Sequence, residues 1–174
     1  MAQIGRFCWR CVVTLAIVFL AFRGFVYHDV SHIFRHSNQT RRTSTRYIVI
    51  HHDSIPRPTD VAEIDAYHRQ EWGSGFGYHF YIDHSTITQV RGLDMMGAHT
   101  INYNHCSIGI CLNGDFDTQE PTAFQLMALK GLVAFLKLKY PDAKVVGHGD
   151  LNDTKCPGRN LKRKIDQWYG NQDT

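Results

Sequence analysis

The chain has 174 residues, of which 43% are hydrophobic and 20% are charged, and its formal net charge at pH 7 is +3. This composition is typical of a globular protein with enough apolar residues for a core, and the length predicts one domain with appendages. The charge is mild and no arginine-rich run is interleaved with aromatic residues, which argues against a nucleic-acid partner. The 11 histidines exceed what packing requires, so metal or proton chemistry has to be considered.

Residues 1–27 have the layout of an export or anchoring signal. Arg6 and Arg10 precede a continuously apolar run, CVVTLAIVFLAF, at 11–22. A bilayer-spanning helix needs about 20 apolar residues, so the pattern fits both a cleaved signal peptide and a retained anchor. No small-residue cleavage site follows, which favours an uncleaved anchor. We therefore expect membrane association through residues 7–27, with the rest of the chain outside the cytoplasm.

Residues 28–45, HDVSHIFRHSNQTRRTST, are polar and basic and have no periodicity. Such a composition predicts a solvated linker. The folded domain is expected to occupy residues 46–170.

Strand and helix patterns alternate along this domain. Short β-branched or aromatic runs predict strands, namely RYIVIH, GYHFYID, TITQV, SIGICLNG and KVVG. Longer segments with apolar residues at helical spacing predict helices over 59–72, 121–140 and 160–170. Thr59 is the expected N-cap of the first helix, and Pro121 lies in the first turn of the second. This order predicts an α/β domain with a central mixed β-sheet flanked by helices.

Histidines and a cysteine follow two of the predicted strands. IVIHH places His51 and His52 at the end of one strand, and VVGHGDLNDTKCPGR places His148 at the end of another, with Cys156 in the loop beyond. Zinc binds imidazole nitrogen and thiolate sulfur, and a catalytic zinc keeps one position open. Adjacent strand residues point to opposite faces, so only one of the first two histidines can join His148. Asp53 is a candidate hydrogen-bond acceptor behind the ligands. The pattern alone leaves a zinc site and a packed histidine with a structural cysteine as open alternatives.

Four segments together resemble the zinc-dependent N-acetylmuramoyl-L-alanine amidases of the phage lysozyme and peptidoglycan-recognition family. They are IVIHHDS, GFGYHFYID, GAHTINYNHCSIGICLNGDF and VVGHGDLNDTKCPG, and the resemblance covers about residues 47–161. It implies the peptidoglycan-recognition or amidase type of sheet and one zinc ion at the floor of a surface groove. It also implies that the ligands are His51, His148 and Cys156.

The resemblance implies catalytic roles for three further residues. The hydroxyl of Tyr78 is expected near the zinc-bound water, whose pKa the metal lowers and whose proton must be guided away. A further donor must stabilise the developing oxyanion. The phage enzymes carry a lysine six residues after the second histidine ligand, and the animal proteins carry a threonine there. This chain has Thr154 at that position and Lys155 next to it, so either is a candidate for the supporting role.

Substrate contacts are predicted at four positions. The resemblance places His99 and Asn104, both in GAHTINYNH, where the groove of the family meets the muropeptide. Arg91 follows a predicted strand and is a candidate for bidentate binding of a peptide carboxylate. His52 is expected to line the groove or to point away from it.

Cysteine spacing adds one constraint. Cys106 and Cys111 are separated by about 16 Å of extended chain, whereas a disulfide needs Cα atoms within about 7 Å. We expect them to be unpaired, and a metal-bound thiolate is a consistent state for Cys156.

The expected function is a peptidoglycan hydrolase that cleaves the amide bond between N-acetylmuramic acid and the L-alanine of the stem peptide, using zinc-activated water. The setting is expected to be lytic and endolysin-like, with a monomeric enzyme exported or membrane-anchored and facing the bacterial cell wall. A non-catalytic peptidoglycan-binding module is the alternative from another class. A third interpretation makes Cys156 a thiol nucleophile with His148 as its base.

Overall fold

A computed structural model describes residues 26–33 and 40–170. The apolar run at 11–22, predicted to be an anchor or signal, lies outside these residues. Within the described ranges, no helix is both long enough and apolar enough to cross a membrane.

The described chain forms a six-stranded mixed sheet and three α-helices. The strands are β1 (Val26–Asp29), β2 (Tyr47–His52), β3 (Phe80–Ile82), β4 (Thr86–Gln89), β5 (Ser107–Leu112) and β6 (Lys144–Gly147). The helices are α1 (Val61–Trp72), α2 (Ala123–Lys139) and α3 (Arg159–Tyr169). The order in the sheet is β1-β4-β3-β5-β2-β6, and only the β3–β4 pair is antiparallel. The predicted mixed sheet flanked by helices is confirmed.

The sheet has two faces of different chemistry, because successive side chains of a strand alternate between its sides. On one side, which we call the apolar face, the strands contribute to the main core, which includes Ile48, Ile50 and Ile110 and is covered by α2 and α3. On the other side, which we call the histidine face, Cys111 packs with Ile64 of α1. His51 pairs in register with Cys111 and therefore lies on the histidine face.

The helix starts differ slightly from the prediction. Asp60, not Thr59, is the N-cap of α1, and its carboxylate accepts a hydrogen bond from the backbone N–H of Glu63. The second helix begins after Pro121, where Thr122 and Gln125 form a capping box.

Part of the predicted linker, together with the last two residues of the segment predicted as an anchor or signal, is ordered against the domain. Val26–Asp29 forms the edge strand β1, which pairs with β4 over four residues. Further along, Arg41 forms an isolated β-bridge with Met95 and an ion pair of 2.6 Å with Asp94. The interpretation of 28–45 as a solvated linker did not anticipate these contacts.

Three cysteines fall within the described residues, and all three are free thiols. Cys106 and Cys111 are therefore unpaired, as their spacing predicts.

Candidate metal centre

Three side chains converge at one edge of the sheet. His51, His148 and Cys156 each offer a ligand atom, and these atoms all lie within 4.8 Å of one another. The ring centroids of the two histidines are 4.5 Å apart. The Sγ atom of Cys156 lies 3.7 Å from Nδ1 of His51.

Strand register brings the two histidines together. Strands β2 and β6 are parallel neighbours in which Ile50 lies opposite Gly147. The next residue in each segment is a histidine, the last but one of β2 and the first after the end of β6, so both rings lie on the histidine face at the carboxyl edge of the sheet.

A short loop returns Cys156 to this edge. The backbone N–H of Gly149 donates to the carbonyl oxygen of Cys156 at 2.8 Å, and the backbone N–H of Cys156 donates to Oγ1 of Thr154 at 3.2 Å. A side chain at position 149 would come within 2.6 Å of the carbonyl oxygen of Thr154, so a glycine is needed for the loop to close this tightly. His148 and Cys156 are eight residues apart in the sequence, and this loop brings their side chains close together in space.

Each histidine of the cluster has one ring nitrogen held by a neighbour. Nε2 of His51 lies 3.0 Å from Nδ1 of His99, and Nε2 of His148 lies 3.1 Å from Oδ1 of Asn152. Both Nδ1 atoms are therefore left for a metal ion, and the outer hydrogen bonds fix the tautomer and the orientation of each ring.

The donor set suits zinc. Two imidazole nitrogens and one sulfur are ligands that zinc accepts readily, and three protein ligands leave a fourth position for water or substrate. Burial lowers the pKa of His51 and of His148, so both imidazoles are neutral at pH 7. Burial raises the pKa of the Cys156 thiol to about 12, so the thiol must lose a proton when a metal binds.

Tyr78 lies next to this cluster, as the resemblance implies. Its ring centroid is 4.9 Å from that of His51. Burial, together with the nearby thiols of Cys111 and Cys156, raises the pKa of Tyr78 well above its ordinary value. The phenol is therefore a neutral hydroxyl, able to donate a hydrogen bond and to accept one.

Thr154 and Lys155 are both exposed and lie on the loop that leads to Cys156. The hydroxyl oxygen of Thr154 accepts the hydrogen bond from the Cys156 backbone described above, which leaves its proton free for another partner. Both residues remain candidates for oxyanion support.

The predicted substrate contact of Arg91 needs correction, and of the two positions expected for His52 the structure shows the one that points away from the groove. Arg91 is only 1% exposed, and its guanidinium donates to the carbonyl oxygens of Met96 and Phe76 at 2.8 and 2.7 Å, so it holds two loops together inside the protein. His52 lies on the apolar face, where its Nδ1 accepts a hydrogen bond from the backbone N–H of Phe116 at 3.2 Å. Neither side chain faces the metal centre.

Asn104 holds the backbone at His99, and His99 in turn contacts His51 of the metal cluster. His99 is 9% exposed and contacts His51, not open solvent. The side-chain oxygen of Asn104 accepts hydrogen bonds from the backbone N–H groups of His99 and Thr100, at 2.8 and 2.9 Å. Their predicted contact with a muropeptide remains a prediction, whereas their positions show a supporting role behind His51.

Two glycines make room for the His99 ring beside His51, and the sequence patterns alone did not indicate this. A side chain at Gly97 would come within 2.4 Å of the His99 ring, and one at Gly109 within 2.7 Å. Both positions leave room for the imidazole, whose plane stands at 85° to that of His51 with the ring centroids 5.0 Å apart. Asp53, by contrast, does not reach the cluster, because its carboxylate accepts hydrogen bonds from Tyr81, Asn113 and two backbone N–H groups.

Comparisons with known proteins agree with this geometry. The sequence pattern of the N-acetylmuramoyl-L-alanine amidase family matches residues 40–159. The endolysin of Klebsiella phage KP32 is 34% identical over 132 residues, which is 71% of this chain and 87% of that protein. Peptidoglycan-recognition protein LB of Drosophila melanogaster is 35% identical over 135 residues, which is 70% of this chain and 58% of the relative.

Solved structures show the same similarity. The endolysin and N-acetylmuramoyl-L-alanine amidase LysCS from Clostridium intestinale URNW superposes with a TM-score of 0.73 at 29% identity, covering 82% of this chain and 93% of that one. Wild-type Drosophila PGRP-LB superposes with a TM-score of 0.71 at 29% identity, covering 82% of this chain and 93% of that one.

Proposed function

Because the chain belongs to the N-acetylmuramoyl-L-alanine amidase family, we propose that it hydrolyses the amide bond between N-acetylmuramic acid and the first L-alanine of the stem peptide. The observation that supports this most directly is the convergence of His51, His148 and Cys156 at the carboxyl edge of the sheet. Three ligand atoms of this kind at this separation leave room for one ion and one open position.

Zinc is the proposed cofactor, with one ion held by these three residues. When bound there, it supplies a water of lowered pKa and polarises the scissile carbonyl. His99 and Asn152 hold the outer nitrogens of the two imidazoles and keep their inner nitrogens turned toward the ion.

Tyr78 and the loop before Cys156 supply the remaining groups. The neutral hydroxyl of Tyr78 would orient the attacking water by accepting a hydrogen bond from it. The hydroxyl of Thr154 donates to the oxygen on which charge develops, with the ammonium group of Lys155 as the alternative donor.

A lytic, endolysin-like role follows from the relatives. Phage endolysins are among the similar proteins, and this chain covers most of their length. The apolar run at 11–22 supports an exported or membrane-anchored enzyme that acts on the cell wall, and we propose that it acts as a monomer.

Two rival interpretations are weaker. A non-catalytic binding module needs no metal cluster, yet the cluster here is complete. A thiol nucleophile needs a lowered pKa to form its thiolate, whereas burial raises the pKa of Cys156 to about 12. Proton release by a metal resolves this conflict, and a histidine base alone does not.

The test combines metal analysis of the full chain with mass spectrometry of digested sacculi. We expect one zinc per chain and release of stem peptides with a free L-alanine amino group. A chelator should abolish the release and zinc should restore it. Activity that survives chelation but is lost on thiol alkylation would replace this proposal with the nucleophile, and zinc binding without any released peptide would replace it with the binding module.

A further inference from the structure

A tight turn lies behind both histidine ligands. In residues 100–103, which we call the support turn, the backbone N–H of Tyr103 donates to the carbonyl oxygen of Thr100 at 3.1 Å. Asn102 has a positive φ of 67°, a conformation that asparagine adopts more readily than most residues. The carbonyl groups on either side of Asn102 accept hydrogen bonds from two different side chains, and each of these side chains leads to one ligand histidine.

The first branch runs from the carbonyl group of Ile101 to His148 through Asn152. The side-chain nitrogen of Asn152 donates to the carbonyl oxygens of Ile101, at 3.2 Å, and of Leu151, at 3.0 Å. Because carbonyl groups only accept, the amide nitrogen must face them, and the amide oxygen must face His148, where it lies 3.1 Å from Nε2. This oxygen cannot donate, so the proton of the neutral imidazole is on Nε2 and its Nδ1 carries a lone pair.

The second branch runs from the carbonyl group of Tyr103 to His99 through Ser107. The hydroxyl oxygen of Ser107 lies 2.8 Å from the oxygen of Tyr103, which can only accept, so the serine donates its proton there. The same serine oxygen lies 3.5 Å from Nε2 of His99, and without a second proton it can only accept from that nitrogen. Burial lowers the pKa of His99, so this imidazole is neutral, carries its one proton on Nε2 and accepts at Nδ1.

The accepting nitrogen of His99 determines where His51 carries its proton. Nδ1 of His99 lies 3.0 Å from Nε2 of His51, so Nε2 of His51 must donate. The hydroxyl of Thr100 agrees with this direction, because it lies 2.8 Å from Nδ1 of His99, to which it can donate, and 3.4 Å from Nε2 of His51, from which it can accept. Nδ1 of His51 therefore carries the lone pair, on the side of Cys156.

We propose that the support turn sets the tautomers of both ligand histidines, with Asn152 and Ser107 as the positioning residues that link it to the rings. This rests on the proposed function only in that His51 and His148 are taken as zinc ligands. Two backbone carbonyl groups of one turn hold the proton of each imidazole on its outer nitrogen before any ion binds. Both ligand nitrogens are therefore prepared together, and a distortion of the support turn should disturb both.

The proton positions can be measured in the metal-free full chain by ¹⁵N NMR of labelled histidine. At about pH 8, above the ordinary pKa of histidine, each neutral ring gives separate signals for its protonated and its unprotonated nitrogen, and single histidine substitutions assign them. We expect the Nε2–H tautomer for His51 and for His148. His79 is the internal reference, because its Nε2 lies 2.9 Å from the carbonyl oxygen of Met95 and its Nδ1 accepts from the backbone N–H of Gly109 at 3.1 Å.

A matched pair of variants at Asn102 tests the support turn itself. Asn102→Val places a β-branched residue at a positive φ and should distort the turn, whereas Asn102→Gly adopts this conformation without strain. We expect Asn102→Val to give mixed tautomers at both His51 and His148. Its zinc affinity should fall by about 10–100-fold, the usual effect of losing an outer-shell partner. Asn102→Gly should match the wild type in both measurements.

Variants of the two positioning residues should each act on one branch. Asn152→Leu removes the acceptor and should give mixed tautomers at His148 only, whereas Asn152→Asp still accepts from Nε2 and should keep the wild-type tautomer. Ser107→Ala should give mixed tautomers at His99 and His51 and leave His148 unchanged.

A proton on Nδ1 of either ligand histidine in the wild type would overturn the proposal. So would unchanged tautomers in Asn102→Val with the signals of His79 intact. If those reference signals are lost because Asn102→Val does not fold, the Asn152 pair decides, and an unchanged His148 in Asn152→Leu would overturn the proposal. The tautomers need neither zinc nor substrate. A chain with the expected tautomers that releases no stem peptide would therefore contradict the proposed function and support the role of the support turn.

Discussion

The two faces of the central sheet use the same strands for different purposes. On the apolar face, Ile48 and Ile50 pack against α2 and α3 in a core of aliphatic and aromatic side chains. On the histidine face, the residue that follows Ile50 is His51, which belongs to the metal cluster. Because side chains alternate along a strand, β2 contributes to both faces of the sheet. Its residues on the apolar face stabilise the fold, and its residues on the histidine face belong to the metal cluster.

The two faces also differ in the contacts that their buried side chains require. Aliphatic side chains need only close packing, whereas a buried imidazole needs a hydrogen bond. The histidine face meets this need with backbone and side-chain partners: Gly77 donates to Nδ1 of His68 at 3.0 Å, and Gly109 donates to Nδ1 of His79 at 3.1 Å. Substitutions on this face should change metal binding or proton uptake, and substitutions on the other should change stability.

The largest expected effect is on the histidine face, at the ligand Cys156. Cys156→Ser replaces the thiolate by a hydroxyl that does not ionise at neutral pH, so zinc affinity and hydrolysis should fall together. The loss should exceed the about 100-fold that removal of an outer-shell partner causes. Zinc content by elemental analysis and release of stem peptides from sacculi measure both. The unfolding temperature of the metal-free chain should stay the same, and a large drop in it would mean that Cys156 is a core residue.

Tyr78→Phe should separate the metal from the chemistry. The ring remains packed beside His51, so zinc content should not change. Loss of the hydroxyl should lower kcat by about 10²–10⁴-fold, the usual contribution of a positioned acid–base group. Phe76→Leu, on the same face but within its core, is the matched control and should keep most of kcat. Full activity of the Tyr78 variant would remove this residue from the mechanism.

The division of the sheet into an apolar face and a histidine face could largely be predicted from the sequence, because it depends on the alternation of residues within each strand. The segment IVIHH showed that only one of His51 and His52 can face His148, and the register of β2 and β6 confirms it. The family resemblance then selected His51, and the structure places its Nδ1 beside the sulfur of Cys156.

The features that the sequence did not reveal depend on contacts between distant segments. Arg91 was predicted to bind a peptide carboxylate, but carbonyl oxygens from two loops accept its hydrogen bonds in the interior. The role of His99 depends on the space left by Gly97 and Gly109, which no single segment reveals. Strand β1 has no apolar alternation, since all four of its residues are exposed, and it exists only by pairing with β4.

A substitution on the apolar face should affect stability alone. Leu136→Ala removes a fully buried side chain of α2 and should lower the free energy of unfolding by about 2–5 kcal/mol. Leu138→Ala, two residues further on the exposed side, should change it by less than about 0.5 kcal/mol. Urea unfolding measures both variants. Zinc affinity of the folded protein should be unchanged, and a loss of affinity in Leu136→Ala would show that the faces are coupled.

His99 tests the histidine face one step behind the metal. His99→Ala removes the neighbour that lies 3.0 Å from Nε2 of His51, so that nitrogen keeps only the longer contact with Oγ1 of Thr100, at 3.4 Å. Zinc affinity, measured by competition with a chelator, should fall by about 10–100-fold. His99→Gln restores a polar partner and should recover part of the affinity. An unchanged zinc affinity in both variants would limit His99 to packing.

The smallest expected effect is on the pH dependence of stability, at His68. Burial lowers the pKa of His68 from 6.5 to about 4 in the folded protein. The unfolded chain therefore takes up a proton at this histidine at higher pH than the folded chain does. The contribution of His68 to the free energy of unfolding is fully present above pH 6.5 and is lost as the pH falls from 6.5 toward 4. In the metal-free chain, His68→Gln should reduce the proton uptake on unfolding in this window by up to about one proton. Tyr67→Phe, which changes the neighbouring residue and leaves every imidazole in place, is the matched control. The proposal fails if the free energy of unfolding depends on pH with the same slope in wild type and in His68→Gln. That result would mean that His68 ionises as easily in the folded chain as in the unfolded chain. Any acid sensitivity of the histidine face would then come from its other imidazoles.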